Sequence, residues 1–502
     1  MKQYKQVEET RKLYYDKPSI NSVHCASLMV PEIDGTLVDI SFLNHFLLKR
    51  GYGNVACRIT AIDKNGKKIE SRLHRIDKPV VYTIPLTEMV DKPVSNYAVE
   101  FFSADNLFIP FPAVMINHRG SGFINQVHSF NRVLNDVFED DTINAVQVSE
   151  ASVDLVLDDD TDTFLLFSAG PMGCNDPLEI EILTKTNSYK TTCSTNLPRF
   201  GTKKYQIKEI FPNIPNGIKG VMRAKQPHQM LFYGRMLTGQ ITRTGEFSAN
   251  HSYYDSSIFN EYWEDNYPSQ RFYPYFPELD NIIRMYPIMS PSKLFLFVGF
   301  YNYEGKKMGE VAIGDLTSPD NRFLDLTINS VCQKLGLDQK QIATFDLIVK
   351  ADTNKMPTRV SHQLVYGNGG LNTSINIGLN NPNVFVAKDK KSFKWGQTVA
   401  GGEYDSFVGL VGDPSENPTV DRSHETTVKF YDGDGLIAER FWNIPNGSSI
   451  KFKVMEELKK DLKNSNKTGY IWCTAESDHF GLNFFSACYN TITNNFSGDH
   501  GF

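Results

Sequence analysis

The strongest constraint on the fold is a short pattern that recurs along the chain: an alternating strand, a polar turn that closes on a glycine, and a second alternating strand. The three clear copies are Arg58–Glu70 (RITAIDKNGKKIE), Val298–Glu310 (VGFYNYEGKKMGE) and Val428–Glu439 (VKFYDGDGLIAE). The first interval between their turn glycines is close to twice the second, so a fourth copy is predicted midway, at Glu179–Thr192. Glycine supplies the positive φ that tight hairpin turns require. The spacing therefore predicts four copies of one β-rich unit in tandem.

The segments that follow each hairpin recur as well. A strand that runs into a helical turn is predicted at Val81–Met89, Tyr205–Phe211, Phe323–Leu335 and Ile450–Leu458. A strand that breaks at a polar elbow is predicted at Tyr97–Asp105, Gly220–Pro227, Phe345–Asp352 and Tyr470–Asp478. With the strand that follows it, this elbow resembles part of the small β-sandwich of sensory rhodopsin transducers. Six or seven short strands in each unit are typical of an antiparallel sandwich.

These patterns predict an all-β fold of four tandem antiparallel β-sandwich units with short connecting helices. The predicted units cover residues 23–130, 150–257, 291–383 and 384–502, and the last range includes a connector. We expect an N-terminal arm at 1–22, a linker helix at 131–149 and an aromatic-rich connector at 258–290. Unit 4 is expected to lose its last strand in the segment TITNNFSGDHGF, as terminal repeats often differ from the others.

Charge and motif content argue against several classes of function. A formal net charge of −6 over 502 residues provides no positive field for nucleic acid or for an anionic membrane surface. No apolar run approaches the ~18 residues of a membrane-spanning helix, so no membrane partner is expected. The chain contains neither a GxxxxGK[ST] phosphate loop nor a GxSxG nucleophile elbow. We therefore predict no cofactor and assign no catalytic residue.

The cysteines and the N-terminus predict a cytoplasmic protein. The seven cysteines are odd in number, are scattered along the chain and form no CxxC pair, which favours buried, reduced thiols. The first 18 residues are charged and lack the apolar stretch of a secretory signal.

Aromatic and acidic side chains are most concentrated in Ala249–Tyr275 (ANHSYYDSSIFNEYWEDNYPSQRFYPY). Aromatic faces beside carboxylates suit a polyhydroxylated ligand, because rings cover the C–H face of a sugar while acids accept hydrogen bonds from its hydroxyls. The predicted ligand-binding residues are His251, Tyr254, Asp255, Glu261, Tyr262 and Trp263. The alternative is that these rings fill the seam between units 2 and 3, with the acids solvated at its rim.

No metal site is predicted. On one strand, His251 and Asp255 would lie about 13 Å apart, too far to share an ion. The aspartates of LDDDTDTF lack the glycine and the twelfth-position acid of an EF-hand loop. The segments QVHSFN and ANHSYYD place His128 and His251 at equivalent positions of units 1 and 2, where a structural role is expected.

The sequence thus favours a non-enzymatic binding or scaffolding protein whose ligand is a carbohydrate or polysaccharide. One alternative is a saccharide-acting enzyme that uses carboxylates such as Glu261 and Asp265 at the seam between units 2 and 3. A second alternative is a self-assembling structural subunit. Because exposed sheet edges must be covered, a homo-oligomer is also expected.

Overall fold

The structure is a computed structural model. It describes residues 23–104, 113–128, 132–133, 149–153, 155–170, 173–226, 232–233, 235–258, 261–321, 323–381, 391–416, 423–462, 466–478 and 480–502. The predicted N-terminal arm lies outside the described residues. So does the predicted linker helix, except for Arg132–Val133 and Ser149, which lie in strands.

The chain forms four β-sandwich units of eight principal strands each, which we letter A to H in chain order. Unit 1 contains β1 (Val23–Pro31), β2 (Leu37–Leu43), β3 (Val55–Ile62), β4 (Lys68–Ile76), β5 (Val81–Pro85), β6 (Asn96–Ser103), β7 (Met115–Gly120) and β8 (Phe123–His128), and β9 (Arg132–Val133) follows it. Unit 2 contains β10 (Ser149–Ser152), β11 (Thr161–Ser168), β12 (Leu178–Thr184), β13 (Ser188–Cys193), β14 (Thr202–Gln206), β15 (Gly220–Lys225), the short β16 (Phe232–Tyr233), β17 (Leu237–Thr242) and β18 (Phe247–His251).

The second half of the chain repeats this arrangement. Two short strands, β19 (Tyr253–Tyr254) and β20 (Tyr262–Glu264), lead to unit 3. Unit 3 contains β21 (Ser269–Pro274), β22 (Asp280–Met285), β23 (Leu294–Asn302), β24 (Lys307–Asp315), β25 (Asp325–Thr327), β26 (Ile342–Ala351), the short β27 (Lys355–Pro357), β28 (Ser361–Gly367) and β29 (Ile375–Gly378). Unit 4 contains β30 (Ser392–Ala400), β31 (Tyr404–Gly412), β32 (His424–Asp432), β33 (Gly435–Ile444), β34 (Ser449–Lys453), β35 (Gly469–Ser477), β36 (Leu482–Asn490) and β37 (Phe496–His500).

Helices are short and lie at the ends of strands. Among the described residues, the α-helices are α1 (His45–Arg50), α2 (Ile207–Ile210), α3 (Ile328–Lys334) and α4 (Val454–Glu457), and 3₁₀ turns lie at Pro319–Asn321, Gln339–Gln341 and Pro414–Glu416. Helices α2, α3 and α4 directly follow strand E of units 2, 3 and 4, where the sequence predicts a strand running into a helical turn. No helix in the described part of the chain has the length and apolar content that crossing a membrane requires.

All four units share one topology. One sheet has the strand order A-F-C-D and the other has the order E-B-G-H, with antiparallel pairing throughout. In unit 1 the first sheet is extended by β9 and β16, and in unit 2 it is extended by β19. The prediction of four tandem antiparallel β-sandwiches is therefore confirmed, with eight principal strands per unit instead of six or seven.

The recurring hairpin joins strands C and D, and its turn has the same chemistry in three units. Asp63, Asn302 and Asp432 each stand three residues before the turn glycine, and in each turn the Oδ1 atom accepts two backbone N–H groups at 2.8–3.1 Å. Gly66 and Gly305 both have φ of 76°, a value that other residues rarely adopt. The sequence repeat is thus an Asp/Asn-x-x-Gly turn.

Two predictions about units 3 and 4 need correction. Strand β37 is present in unit 4, so the prediction that this unit lacks its last strand is wrong; the strand is polar because it is buried against polar strands of other units. Strands β21 and β22 lie within the range 258–290, given above to a connector, and they pair with β26 and β28 of unit 3. The hairpin repeat marks strands C and D and gives no signal for strands A and B.

The hairpin turn of one unit packs against the loop between strands D and E of the next unit. A Cβ atom added to Gly66 of unit 1 would lie 2.6 Å from the Arg199 carbonyl oxygen of unit 2. One added to Gly305 of unit 3 would lie 2.0 Å from the Asn446 carbonyl oxygen of unit 4. These glycines are therefore needed both for the turn and for the contact between units.

The same kind of contact also joins unit 4 back to unit 1. A Cβ atom added to Gly433, in the unit 4 hairpin turn, would lie 3.8 Å from the carbonyl oxygen of Val81, the first residue of strand E in unit 1. In addition, the Trp472 indole of unit 4 donates to Ser41 Oγ of unit 1 at 2.8 Å. Because units 2 and 3 also contact each other, each unit touches the next and the array closes on itself.

The last strands of the four units, β8, β18, β29 and β37, pack together at the centre of the molecule. Their edge groups bond to side chains of neighbouring units: Ser497 Oγ accepts Gln126 N–H at 2.9 Å, and Asn125 Oδ1 accepts Ala249 N–H at 2.7 Å. The Asn376 amide donates to the His251 carbonyl at 2.7 Å. Sheet edges that would otherwise remain unpaired are therefore satisfied within the monomer.

Candidate functional site

A cluster of three histidines and one aspartate lies where the last strands of three units meet. His128 ends β8 of unit 1, His251 ends β18 of unit 2, and Asp499 and His500 end β37 of unit 4. We call these four residues the central histidine cluster. With one ligand atom taken from each residue, all four atoms lie within 4.8 Å of one another. Three of the side chains are buried and His500 is half-buried.

The rings are packed edge to face. The ring centroid of His128 lies 4.5 Å from that of His251 and 4.7 Å from that of His500, at interplanar angles of 82° and 62°. His128 and His251 occupy the same register position in units 1 and 2. Each histidine lies opposite the first residue of strand G in its own unit: His128 opposite Met115, and His251 opposite Leu237. The predicted equivalence of His128 and His251 is therefore confirmed.

Each imidazole has its Nδ1 atom bonded to an oxygen. His128 Nδ1 lies 2.8 Å from Asp499 Oδ2, His251 Nδ1 lies 2.8 Å from the Ser252 carbonyl, and His500 Nδ1 lies 3.0 Å from the Gly501 carbonyl. Because a carbonyl oxygen only accepts, the hydrogen of the neutral His251 and His500 rings is on Nδ1. The lone pair of these rings then resides on Nε2.

Burial and neighbouring charge keep two of the rings neutral. Burial lowers the pKa of His251 well below its usual value, and the Arg235 guanidinium lowers it further. Burial also lowers the pKa of His500 to about 3, assisted by His128. Burial alone would raise the pKa of Asp499, but the charge and hydrogen bonds of His128 lower it below the ordinary range. The cluster therefore places two neutral imidazoles, those of His251 and His500, beside an ionised carboxylate.

Arg235 covers one side of the cluster. Its Nη1 atom lies 3.4 Å from Nδ1 and 3.3 Å from Nε2 of His251. Nearly equal distances to both ring nitrogens place the guanidinium over the imidazole face, and the Nε2 lone pair lies in the ring plane. The guanidinium also lies 5.4 Å from the ring centroid of Tyr253 and 5.7 Å from that of Tyr254.

Sequence reasoning found only part of this cluster. The sequence relates the histidines that end strand H in units 1 and 2, but it gives no prediction for His500, because unit 4 is expected to lack that strand. The signal was present: FSGDH in unit 4 ends on a histidine, as do FINQVH in unit 1 and FSANH in unit 2. Spacing along the chain relates His251 only to its sequence neighbours, whereas its neighbours in the cluster come from two other units.

The six predicted ligand residues do not share one surface. His251 belongs to the buried central cluster. The side chain of Asp255 is buried, and its Oδ2 atom lies 2.6 Å from Arg223 Nε within unit 2. Tyr254 is half-buried, and the Arg359 guanidinium lies 4.4 Å from its ring centroid.

Glu261, Tyr262 and Trp263 lie together on the surface. Tyr262–Glu264 pairs antiparallel with Lys355–Pro357, and we call these two short strands the surface ribbon. Glu261 is exposed and precedes the ribbon, Tyr262 is 43% exposed, and Trp263 is half-buried with its indole nitrogen unpaired. The Lys355 ammonium lies 5.3 Å from the Tyr262 ring centroid.

A cavity of about 220 Å³ lies at the seam between units 2 and 3, but other residues line it. Three charged residues of its lining form one network: Asp325 lies 2.9 Å from Lys219 Nζ and 3.9 Å from Arg284 Nε. The apolar lining includes Phe323 and Met285. None of the six predicted ligand residues contributes to this cavity.

Comparison with known proteins adds little to this description. No protein-family model matches the chain, and no curated protein matches it either. Among solved structures, the chain is similar to the FN1–FN3 domains of chicken CNTN1, with 9% identity over 69% of this chain and 95% of that chain, at a TM-score of 0.10. A TM-score this low carries no argument about fold or function.

Proposed function

We propose that this chain is a non-enzymatic binding or scaffolding protein in which four β-sandwich units form one frame and a surface ribbon binds a carbohydrate. The observation that carries the ligand proposal is the Tyr262 ring. It is 43% exposed, stands beside two exposed carboxylates, Glu261 and Glu264, and has the Lys355 ammonium 5.3 Å from its centroid. A sugar would stack its C–H face on the free ring face, and the charged groups would bond its hydroxyls.

A second exposed ring lies five residues further along the chain. Tyr267 is 49% exposed and follows a turn in which Asp265 Oδ1 accepts the Tyr267 N–H at 2.8 Å. This bond gives Asp265 a structural role in the turn. Two exposed tyrosines five residues apart suit an extended polysaccharide better than a small, enclosed sugar.

We also propose a cytoplasmic location. The six cysteines within the described residues are unpaired, and all but the half-buried Cys193 are buried. Burial raises the pKa of the Cys57, Cys473 and Cys488 thiols, which keeps them protonated and unreactive. Free thiols of this kind suit a reducing compartment.

The second candidate function is a self-assembling subunit. Two edge strands with exposed apolar side chains favour it. Strand D is the edge strand of its sheet in units 1 and 4, where Leu73 on β4 is 69% exposed and Phe441 on β33 is 73% exposed. Edge strands of this kind can pair with another copy of the chain. Size-exclusion chromatography with light scattering tests this candidate, and a strict monomer at all concentrations would eliminate it.

The carbohydrate proposal is tested with a glycan and polysaccharide binding screen of the wild type and a Tyr262→Ala variant. Tyr303→Ala is the matched control, because Tyr303 is 48% exposed and has the Lys451 ammonium 4.9 Å from its ring centroid. Loss of a stacking ring is expected to weaken binding by about 10-fold or more, at roughly 1.4 kcal/mol per factor of ten. Equal binding by all three proteins, or binding by none, would refute the proposal.

A further inference from the structure

The central histidine cluster offers a set of ligands that the carbohydrate proposal does not use. Three imidazoles and a carboxylate, contributed by three different units, have ligand atoms within 4.8 Å of one another. We propose that the cluster binds one divalent transition-metal ion, Zn²⁺, and that the ion fastens units 1, 2 and 4 together at the centre of the molecule.

The type of ligand selects the class of metal. Imidazole nitrogens with one carboxylate are the ligands of Zn²⁺ and its neighbours in the first transition row, whereas Ca²⁺ and Mg²⁺ require mostly oxygen. Zn²⁺ accepts four such ligands in tetrahedral geometry, at about 2.0–2.1 Å from nitrogen. That geometry requires ligand atoms about 3.3 Å apart, so the widest pair in the cluster must approach by about 1.5 Å. Small rotations of the imidazole rings can provide this movement.

The hydrogen bonds around the cluster prepare it for an ion. His251 and His500 each use Nδ1–H to donate to a main-chain carbonyl, which leaves the other ring nitrogen with its lone pair. Metal-ligating histidines usually donate their second ring N–H to a carbonyl or a carboxylate in this way. His128 differs, because its Nδ1 atom lies 2.8 Å from Asp499 Oδ2 and the two atoms stand side by side as candidate ligands, so the proton between them would be released when an ion binds. The two oxygens of Asp499 also accept the main-chain N–H groups of His128 and His500, each at 2.8 Å.

The side chains of the cluster are buried together. The side chains of His128 and Asp499 are 9% and 1% exposed, and His251 is fully buried. Polar side chains are rarely buried together unless each has a partner. A metal ion would be a partner for the Nε2 lone pairs, in addition to the contact of Arg235 with the face of the His251 ring.

The charge of Arg235 opposes the ion. Its positive charge lies over the His251 ring, and Asp499 supplies the only carboxylate of the cluster. Repulsion between the guanidinium and the ion weakens binding, so removing this charge while retaining a polar side chain should strengthen it. Arg235→Gln is therefore a variant whose expected effect has the opposite sign to that of a ligand substitution.

The test uses the full-length chain without a histidine tag, stripped with a chelator and then titrated with Zn²⁺ or Co²⁺. The expected result is one ion per chain, visible d–d absorption of tetrahedral Co²⁺, and an increase in thermal unfolding temperature on adding Zn²⁺. His500→Ala should lose stoichiometric binding, and Arg235→Gln should bind more tightly. Asp499→Asn should bind at least about 10-fold more weakly, because it removes an anionic ligand and even an outer-shell partner contributes that much.

His118→Ala is the control, because His118 is also a fully buried histidine, bonded to the Pro31 carbonyl and outside the cluster. It should lose stability but keep one ion per chain. If His500→Ala does not fold, Asp499→Asn decides the question, since it preserves the volume of the side chain. Failure of the wild type to bind Zn²⁺ or Co²⁺ at one ion per chain, or unchanged binding by the folded ligand variants, would overturn the proposal.

Discussion

Replacing Tyr470 with phenylalanine should weaken the contact that joins unit 4 to unit 1. The Tyr470 hydroxyl of unit 4 donates to Asp39 Oδ2 of unit 1 at 2.9 Å. Asp39 is 1% exposed and also accepts Arg119 Nε at 2.7 Å and Asn117 Nδ2 at 3.0 Å. Because the substitution removes a donor and leaves a buried carboxylate, we expect a loss of about 1.5–3 kcal/mol in the free energy of unfolding.

The loss should depend on pH in a defined direction. Burial raises the pKa of Asp39, against the lowering effects of Arg119 and the Tyr470 hydrogen bond. A carboxyl whose folded pKa is raised contributes stability below the unfolded pKa, near 3.9, and that contribution is lost as the pH rises through the folded pKa. Removing the hydroxyl raises the folded pKa of Asp39 further. The cost of Tyr470→Phe should therefore be larger at pH 8 than at pH 4.5.

The assay is urea unfolding followed by tryptophan fluorescence at both pH values. Tyr489→Phe is the matched control, because the hydroxyl of this half-buried tyrosine on β36 makes no hydrogen bond among the described residues. A double-mutant cycle with Asp39→Asn then isolates the coupling between the two side chains. A loss below about 0.5 kcal/mol, equal to that of the control, or the same loss at both pH values would refute the reasoning.

Three further perturbations test other features of the structure. Burial raises the pKa of Asp346 in unit 3 to about 6, so stability should fall by on the order of 3 kcal/mol as the pH rises from about 4 through 6, and Asp346→Asn should flatten this dependence in urea unfolding. Gly305→Ala should destabilise the protein more than Gly369→Ala does, because both glycines have positive φ but only the first would place its Cβ atom against Asn446. Thermal unfolding measures the difference. Equal losses of stability would mean that the contact between units adds nothing. A thiol reagent applied to the native protein should modify half-buried Cys193 before the buried described cysteines, as peptide mass mapping would show, and simultaneous modification would contradict the burial pattern.

The fold was readable from the sequence because it is repeated. One Asp/Asn-x-x-Gly turn gives a weak local signal, but three copies with a regular interval locate strands C and D of every unit, including the degenerate copy in unit 2. There Thr184 Oγ1 accepts Asn187 N–H at 2.9 Å, so a threonine performs the role that aspartate or asparagine performs elsewhere. Strands A and B of units 3 and 4 have no such repeated marker, which is why residues 258–290 read as a connector.

The candidate site was harder to predict, because its residues come from separate units. Polar residues in a strand normally indicate a solvent-facing or an absent strand, yet in β8, β18 and β37 they face other strands of the same kind. Hydrogen bonds such as that from Asn250 Nδ2 to the Gly498 carbonyl, at 3.0 Å, satisfy these groups across the boundary between units. Only the relative placement of the units reveals that the strand-ending histidines meet.

The closed arrangement explains why unit 4 is not an atypical terminal copy. In an open array of repeats, the last unit exposes a face that its neighbour would otherwise cover, so its sequence becomes more polar or is truncated. Here unit 4 covers unit 1: Trp472 is fully buried against unit 1, and β37 lies against β8 and β18. Neither end of the array needs a cap, so the polarity of the C-terminal segment arises from the central contact between units.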